Sequence, residues 1–157
     1  MLVEIQALVA PSALGTPRRA VIGWDSGRLA MVMAVLDARC GLALAGNDVY
    51  LNVAGGLRIT EPAADLAVAA ALVSSATDVP VDAHMVVFGE IGLSGEVRAV
   101  NQMDGRLKEA TKLGFASALM PVVRRQVKAA PDGPIGIRRI GHVQDLVSLF
   151  RHGDKAG

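Results

Sequence analysis

Apolar and polar residues alternate in two stretches near the start of the chain. In residues 3–9 every second residue is apolar, with Glu4 and Gln6 between them, which is the period of a half-buried strand. Residues 18–24 form a second run that predicts a strand. Between them, Pro11 to Pro17 is rich in residues that favour turns. We expect the two strands to pair as a hairpin.

The period then changes from two to the spacing of a helix. Asp25 or Ser26 can cap the N-terminus of this helix, and Gly41 is placed to end it. The apolar positions that recur at intervals of three or four residues are Leu29, Val32, Met33 and Leu36.

Strands and helices continue to interleave through the rest of the chain. A strand is predicted over 48–54 and an apolar helix over 62–75, with Thr60 as its N-cap and Pro62 in its first turn. The remaining predicted elements are strands 85–91 and 96–100, helix 103–113, strand 117–121, a short helical segment in 122–130, an edge strand over 135–140 and a last helix over 142–150. This order, without repeats, predicts one α/β (α+β) domain of mixed sheets and packed helices over 1–150, with a frayed tail over 151–157.

Composition supports one domain with an aliphatic core. The chain has 157 residues, of which 52% are apolar and only 3% aromatic. Its net charge is +1, but arginine accounts for most of the 16 basic residues. The planar guanidinium suits phosphate and carboxylate partners, although a GC-rich genome also enriches arginine.

Several classes of protein are excluded by what the sequence lacks. The single cysteine, Cys40, rules out an internal disulfide and a multi-cysteine zinc site, and we expect it to be a buried, inert thiol. No P-loop motif and no Cys-x-x-Cys motif is present. No leader and no apolar run near 18 residues is found, so we expect a cytoplasmic protein without contact to a membrane.

Motifs placed in this order resemble those of a known enzyme family. A strand ending in Gly55-Gly56 leads through Leu57-Arg-Ile-Thr-Glu-Pro-Ala-Ala-Asp65 into the apolar helix. The later run Phe88-Gly-Glu-Ile-Gly-Leu-Ser-Gly-Glu-Val97 reads as two short strands around a tight turn, followed by the helix that begins at Met103. Together they resemble the proteolytic domain of Lon proteases. The resemblance implies the Lon proteolytic-domain fold, which is similar to domain 2 of ribosomal protein S5.

The catalytic residues of that family have no counterparts here. Lon proteases carry a nucleophilic serine in a Gly-Pro-Ser-Ala-Gly segment and a lysine base in the later helix. The serine position falls on Ala63, and the lysine position falls on Asp104 when the hairpin is aligned without gaps. Alanine has no nucleophile and a carboxylate cannot act as a neutral amine. The resemblance therefore implies a retained scaffold without protease chemistry.

Other polar residues leave weaker alternatives open. Asp104 and Lys108 lie one helical turn apart and would form a surface ion pair. Asp65 sits at the start of an apolar helix, where it favours the helix dipole, and could instead pair with Asp104 as a metal or acid/base site. The serines and histidines fit structural roles better than catalytic or metal-binding ones, and they are Ser74, Ser75, Ser94, His84, His142 and His152.

A narrower resemblance covers nearly the whole chain, from about Leu2 to about Phe150. The runs at 3–11, 17–19, 55–67 and 87–98 are similar to the C-terminal Lon-like domain of the RadA (Sms) family of bacterial DNA repair proteins. The resemblance implies a fragment of a longer chain, with Met1 an added start. A zinc finger and a RecA-like ATPase core would precede it, and ATP, Mg and Zn would bind there rather than here.

The same resemblance implies a role in DNA repair and recombination. The parent would be a hexameric, ATP-dependent DNA helicase acting in branch migration, with a recombinase as a further partner. This part would help to assemble the ring and would bind the backbone of single-stranded or branched DNA. Two alternatives remain open: an active Ser–Lys peptidase whose dyad is elsewhere, and a purely structural oligomerisation domain.

Basic residues are the candidates for the DNA contact. For each alone, a solvated charge or an intersubunit salt bridge is the commoner role, but we expect at least one cluster to touch DNA. The near-neutral net charge predicts that any basic surface is confined to one face. The candidates are Arg18, Arg19, Arg28, Arg106, Lys108, Lys112, Arg124 and Arg125.

Overall fold

The first sheet has a different strand order from the one that the sequence suggests. The computed structural model describes residues 1–13, 15–123 and 135–151. Strands β1 (Ile5–Pro11), β2 (Arg19–Ile22) and β3 (Asn47–Val53) form a sheet in the order β1-β3-β2. β3 is antiparallel to β1 and parallel to β2, so the predicted hairpin of the first two strands is wrong. Because β3 places Val49, Leu51 and Val53 in the core, it takes the central position.

Helix α1 (Ser26–Cys40) supplies the crossover that a parallel pair of strands requires between β2 and β3. The Asp25 side chain accepts a hydrogen bond from the Arg28 amide at 2.9 Å, which confirms the predicted N-cap. Gly41 ends the helix in the left-handed conformation with φ 67° and donates to the Asp37 carbonyl. Both ends of α1 are thus determined by residues at the ends themselves.

Helix α2 (Asp65–Thr77) begins three residues later than predicted. A 3-10 turn over Pro62–Ala64 precedes it, and Glu61 and Ala64 occupy the cap positions without a side-chain bond. The prediction of Thr60 as N-cap is therefore wrong, because Pro62 starts the tighter turn first. The helix is buried almost all round, and its apolar buried residues are Leu66, Val68, Ala69, Ala70, Leu72 and Val73.

The second half of the chain forms a parallel sheet of β4 (Met85–Val87), β7 (Ser117–Pro121) and β8 (Gly136–Ile140). The order is β4-β7-β8, which confirms the predicted edge strand. The strand predicted over 85–91 is interrupted, because the amide of Gly89 leaves the sheet to donate to the Ala63 carbonyl. β5 (Glu90–Ile91) then pairs with β6 (Val97–Arg98).

Two apolar clusters hold these elements together. The larger one lies between the first sheet and helices α1, α2 and α4 (Val143–Arg151), and the smaller one lies between the second sheet and α3 (Met103–Lys112). The predicted helical segment in 122–130 falls almost wholly outside the described residues, as does the tail beyond Arg151. The whole is a mixed α/β structure. Within the described residues, no helix has both the length and the apolarity to cross a bilayer.

Candidate functional site

The start of α2 meets the segment that follows β4, and Ala63 lies at this junction. Its side chain is buried with 5% exposure, and its carbonyl accepts a hydrogen bond from the Gly89 amide at 2.9 Å. One turn on, the amide of Leu66 donates to the Gly89 carbonyl at 3.0 Å. The position that the resemblance gives to a nucleophile therefore carries a buried methyl group between two backbone segments.

Asp104 lies on the exposed side of the first turn of α3. Among the described residues, none forms an ion pair with Asp104, so the predicted surface pair with Lys108 is wrong. An exposed pair of this kind contributes only a few tenths of a kcal/mol, roughly what ordering the two side chains costs.

Asp65 makes a buried ion pair that sequence reasoning missed. Its carboxylate has no exposed surface and accepts two hydrogen bonds from the Arg28 guanidinium, at 2.5 and 2.6 Å. It also accepts the Ile91 amide at 3.0 Å. The hydrogen bond to Asp65 raises the pKa of Arg28 despite its partial burial, with further support from Glu90 at 3.7 Å. The pair joins α1, α2 and β5.

Because of this pairing, Asp65 does not form the metal or acid/base site with Asp104 that the sequence left open. Its oxygens are taken up by Arg28 and Ile91, whereas Asp104 is exposed to solvent. The described part of the chain holds no group of three or more His, Cys, Asp or Glu side chains that could bind a metal. An acidic residue in a helix that is otherwise apolar on every side was the signal for a buried basic partner.

Arg106 links α3 to the segment that precedes Ala63. Its guanidinium pairs with the Glu61 carboxylate, and it donates to the carbonyl of Asn101 at 3.0 Å and to the Asn101 side chain at 3.2 Å. It also lies over the Phe88 ring, 6.0 Å from the centroid. Arg106 therefore ties the start of α3 to the turn before α2.

The serine residues considered earlier have structural partners. The Ser74 hydroxyl donates to the Val79 carbonyl at 2.6 Å, and the Ser75 hydroxyl accepts the Val9 amide at 2.9 Å. Ser94 lies in the β5–β6 turn, where its carbonyl contacts Nε2 of His142 at 2.9 Å. These contacts fit the structural roles predicted for the three serines.

Several predicted DNA-contact residues already have other partners. Arg28 and Arg106 are paired with carboxylates as described above. The Arg19 guanidinium donates to four backbone carbonyls, two of them in the loop before β3 and one at Asn47, the first residue of β3. Its main role in this structure is to hold that loop. Arg124 and Arg125 lie outside the described residues.

Other basic side chains are exposed and have no ion pair or side-chain hydrogen bond within the described ranges. Sequence reasoning had named only three of them, since the other three stand alone or at a sheet edge rather than in a recognisable cluster. The six are Arg18, Arg58, Lys108, Lys112, Arg138 and Arg139. The Arg138-Arg139 pair in a predicted edge strand was the signal that could have identified two of them.

A small cavity of about 250 Å³ lies between the ends of α1 and α4. Cys40 lines it and is half-buried rather than fully buried as predicted, and burial raises the pKa of its thiol. Arg151 donates to the Cys40 carbonyl, and Gln144 donates to the Arg39 carbonyl. These side chains satisfy carbonyls at the C-terminus of α1, which accounts for their position.

Comparison with known proteins places the chain in a family. Residues 18–124 match the family described as subunit ChlI of Mg-chelatase. DNA repair protein RadA of Brucella abortus (strain 2308) is 66% identical over 121 residues, which are 77% of this chain and 26% of that protein. RadA of Rickettsia bellii (strain RML369-C) is 57% identical over 150 residues, 96% of this chain and 32% of that protein.

A relative of lower identity gives the same result. DNA repair protein RadA of Synechocystis sp. (strain ATCC 27184 / PCC 6803 / Kazusa) is 50% identical over 130 residues, 83% of this chain and 26% of that protein. The chain thus spans about a quarter to a third of the length of these relatives. It belongs to the protein family described as subunit ChlI of Mg-chelatase, and over most of its own length it is similar to proteins named DNA repair protein RadA.

Proposed function

We propose that the chain is a non-catalytic, DNA-binding and assembly domain of a RadA-type DNA repair protein, with the fold of the Lon proteolytic domain. The observation that carries the proposal is the junction at Ala63. A buried methyl group stands where the Lon resemblance puts the nucleophile, in a chain similar to RadA proteins over most of its length. In this proposal the Lon scaffold is kept, and Ala63 and Asp104 occupy the two positions that the resemblance gives to the nucleophile and the base.

The DNA contact in this proposal is electrostatic. Six exposed basic side chains have no partner among the described residues, whereas arginines near the former dyad are paired with carboxylates. Lysine and arginine side chains that neutralise backbone phosphates release counterions, which gives sequence-independent affinity that falls with salt. Trp24, Phe88 and Phe150 are buried, so they offer no platform for stacking bases.

The parent protein in this proposal is a cytoplasmic, hexameric, ATP-dependent DNA helicase that acts in branch migration, in concert with a recombinase. ATP, Mg and Zn would bind to parts of the parent outside this chain. The domain would help to build the ring and hold DNA next to the motor. What supports this is the similarity to RadA proteins, which are three to four times as long as the matched region.

A second candidate function is ring or dimer assembly without DNA binding. It is favoured by the outer face of the first sheet, where alternate residues of all three strands point away from the core. On that face Leu8 is 56% exposed and Ile22 is 61% exposed, and the register places them beside Tyr50 and Asn52. An apolar surface of this kind is typical of protein contacts.

Two assays on the 157-residue chain separate these functions. Fluorescence anisotropy with labelled single-stranded and duplex oligonucleotides at about 50 mM salt should show binding that weakens as salt is raised. Absence of binding to either, together with a solution mass above that of a monomer, would favour assembly alone.

The peptidase alternative has its own test. A serine-directed acylating probe and a fluorogenic peptide should give neither labelling nor turnover. Labelling of any serine would revive the peptidase alternative.

A further inference from the structure

The outward side of α3 carries a short basic surface that we call the lysine stripe, consisting of Gly105, Lys108 and Lys112. All three residues are exposed. At 100° per residue they fall within an arc of about 60° around the helix axis. We propose that the lysine stripe is the site where this domain holds a nucleic-acid backbone through its phosphates, an inference that rests on the DNA-binding function proposed above.

The stripe has the right charge and an available set of donors. Neither lysine forms an ion pair or a side-chain hydrogen bond within the described part of the chain. The two ammonium groups therefore need no existing contact to be broken before they bind phosphate. In contrast, Arg28 and Arg106 would have to give up Asp65 and Glu61.

The stripe is also held in a fixed orientation. The opposite side of α3 places Met103, Leu107 and Ala110 in the smaller apolar cluster, against Met120 of β7 and its neighbours. The helix cannot turn about its axis without exposing these residues to water. The lysines consequently project from a rigid support toward solvent, which lowers the cost of ordering them on a ligand.

Spacing along the helix matches a phosphate backbone. Lys108 and Lys112 are separated by one turn, a rise of about 6 Å. Phosphates of one strand of duplex DNA follow each other every 3.4 Å along its axis. The two ammonium groups can therefore reach phosphates that are neighbours or next neighbours on the same strand, since each lysine side chain is long and flexible.

Gly105 adds room for close approach. It is the third residue of the helix, on the exposed side, and a β-carbon built there would have its nearest neighbour, Cβ of Gln102, only at 4.0 Å. Glycine is destabilising at such a position relative to alanine, and nothing in the packing requires it. A bare backbone beside the lysines lets an extended ligand lie closer to the helix.

A third basic side chain lies on the same side of the second sheet as α3. Met120 of β7 points into the cluster with α3, and its register partner on β8 is Arg139. Neighbouring strands place paired residues on the same side of a sheet, so Arg139 is on the side covered by α3. It is exposed and has no partner among the described residues. The backbone held by the stripe can extend toward this edge.

The test is a charge-matched comparison in the 157-residue chain. One variant carries Lys108→Gln and Lys112→Gln, and the control carries Arg39→Gln and Arg98→Gln, which also removes two exposed positive charges, neither of them among the six basic side chains to which the DNA contact is assigned. Affinity for a 20-base-pair duplex is measured by fluorescence anisotropy between about 50 and 200 mM salt. Circular dichroism confirms that both variants are folded, as expected for exposed substitutions.

We expect the lysine variant to bind at least about tenfold more weakly at low salt, with the slope of log K against log salt reduced by about 1.8 for two lost phosphate contacts. The control should stay within about twofold of the unaltered chain and keep its slope. Equal effects of the two variants, or an unchanged slope in the lysine variant, would overturn the location. If the unaltered chain does not bind the duplex, the DNA-binding function itself fails and the inference fails with it.

Discussion

Helices α2 and α3 are the two elements that would supply a Lon dyad, and in this chain they have opposite environments. α2 is buried almost all round, and its one acidic side chain, Asp65, is neutralised by Arg28. α3 buries one side and presents Lys108 and Lys112 to solvent, where neither has a partner among the residues that the structure describes. The difference shows that basic residues of one chain serve stability where they are paired and are available to a ligand where they are not.

The largest effect is expected from breaking the buried pair of α2. Arg28→Ala leaves the Asp65 carboxylate buried with only the Ile91 amide as donor. Loss of one partner of such a pair costs about 3–5 kcal/mol. Urea denaturation should show a decrease of that size in the free energy of unfolding. The control is Arg58→Ala, which removes an exposed arginine that has no partner in the described part of the chain, and it should change the free energy of unfolding by less than about 0.5 kcal/mol. Similar effects of the two variants would contradict the contrast between paired and unpaired residues.

A smaller, opposite effect is expected on α3. Gly105→Ala should stabilise the chain by about 0.5 kcal/mol, because alanine is the better helix former and the new methyl group meets no close neighbour, although the position lies in the first turn of α3. The same variant should weaken duplex binding by about twofold, because the methyl group stands between the helix and the phosphate backbone. Urea denaturation and anisotropy measure the two changes. Stabilisation with tighter binding would mean that the ligand does not approach the helix here.

Asp104 carries a negative charge next to the lysine stripe, and this charge gives a third prediction. Asp104 is exposed, unpaired among the described residues and one turn before Lys108. Its carboxylate repels phosphates, so Asp104→Asn should tighten duplex binding by about threefold at low salt. Asp37→Asn, which removes an exposed acid on α1, is the matched control, and its effect should be smaller. Equal gains in the two variants would point to net charge rather than to a local site.

The smallest expected change in stability comes from Glu96 in the β5–β6 turn, and it depends on pH. The hydrogen bond from Arg98, followed by backbone amides, lowers the pKa of Glu96 below its ordinary value of about 4.5. Because the pKa is lowered in the folded chain, the stabilisation is fully present above the ordinary pKa of about 4.5. It is lost as the pH falls through the lower pKa of the folded state. Glu96→Gln should therefore be slightly less stable than the unaltered chain near neutral pH, with the difference vanishing in acid.

Urea denaturation of both proteins at a series of pH values from about 6 to about 3 tests this. Glu96 is partly exposed to solvent, so the effect is reduced by screening and should be a fraction of the change in Arg28→Ala. A stability difference that is constant with pH would show that the hydrogen bond does not depend on the charge of Glu96.

Local signals in the sequence predicted local structure well. Asp25 and Gly41 fix the two ends of α1 because a cap depends only on residues within one turn of it. The edge position of β8 followed from its alternation. Thr60 failed as a cap for an equally local reason, since Pro62 begins a 3-10 turn that displaces the helix.

Features that join distant residues could not be predicted in the same way. The order β1-β3-β2 depends on which strand best fills the centre of a sheet, and alternation is the same for a hairpin and for this arrangement. Arg28 and Asp65 are 37 positions apart, so nothing in either neighbourhood identified the other. Arg19 was a reasonable DNA candidate by charge, but its contacts with backbone carbonyls exist only in the folded chain.

The central claim is that a scaffold without its protease chemistry binds the phosphate backbone of DNA. The most direct measurement is the affinity of the unaltered 157-residue chain for a duplex oligonucleotide over a series of salt concentrations. The claim predicts binding at about 50 mM salt. The logarithm of the association constant should fall linearly with the logarithm of the salt concentration, and the magnitude of the slope should be about 1.8 or more for the two lysine contacts. No binding at low salt, or an affinity that does not change with salt, would contradict it.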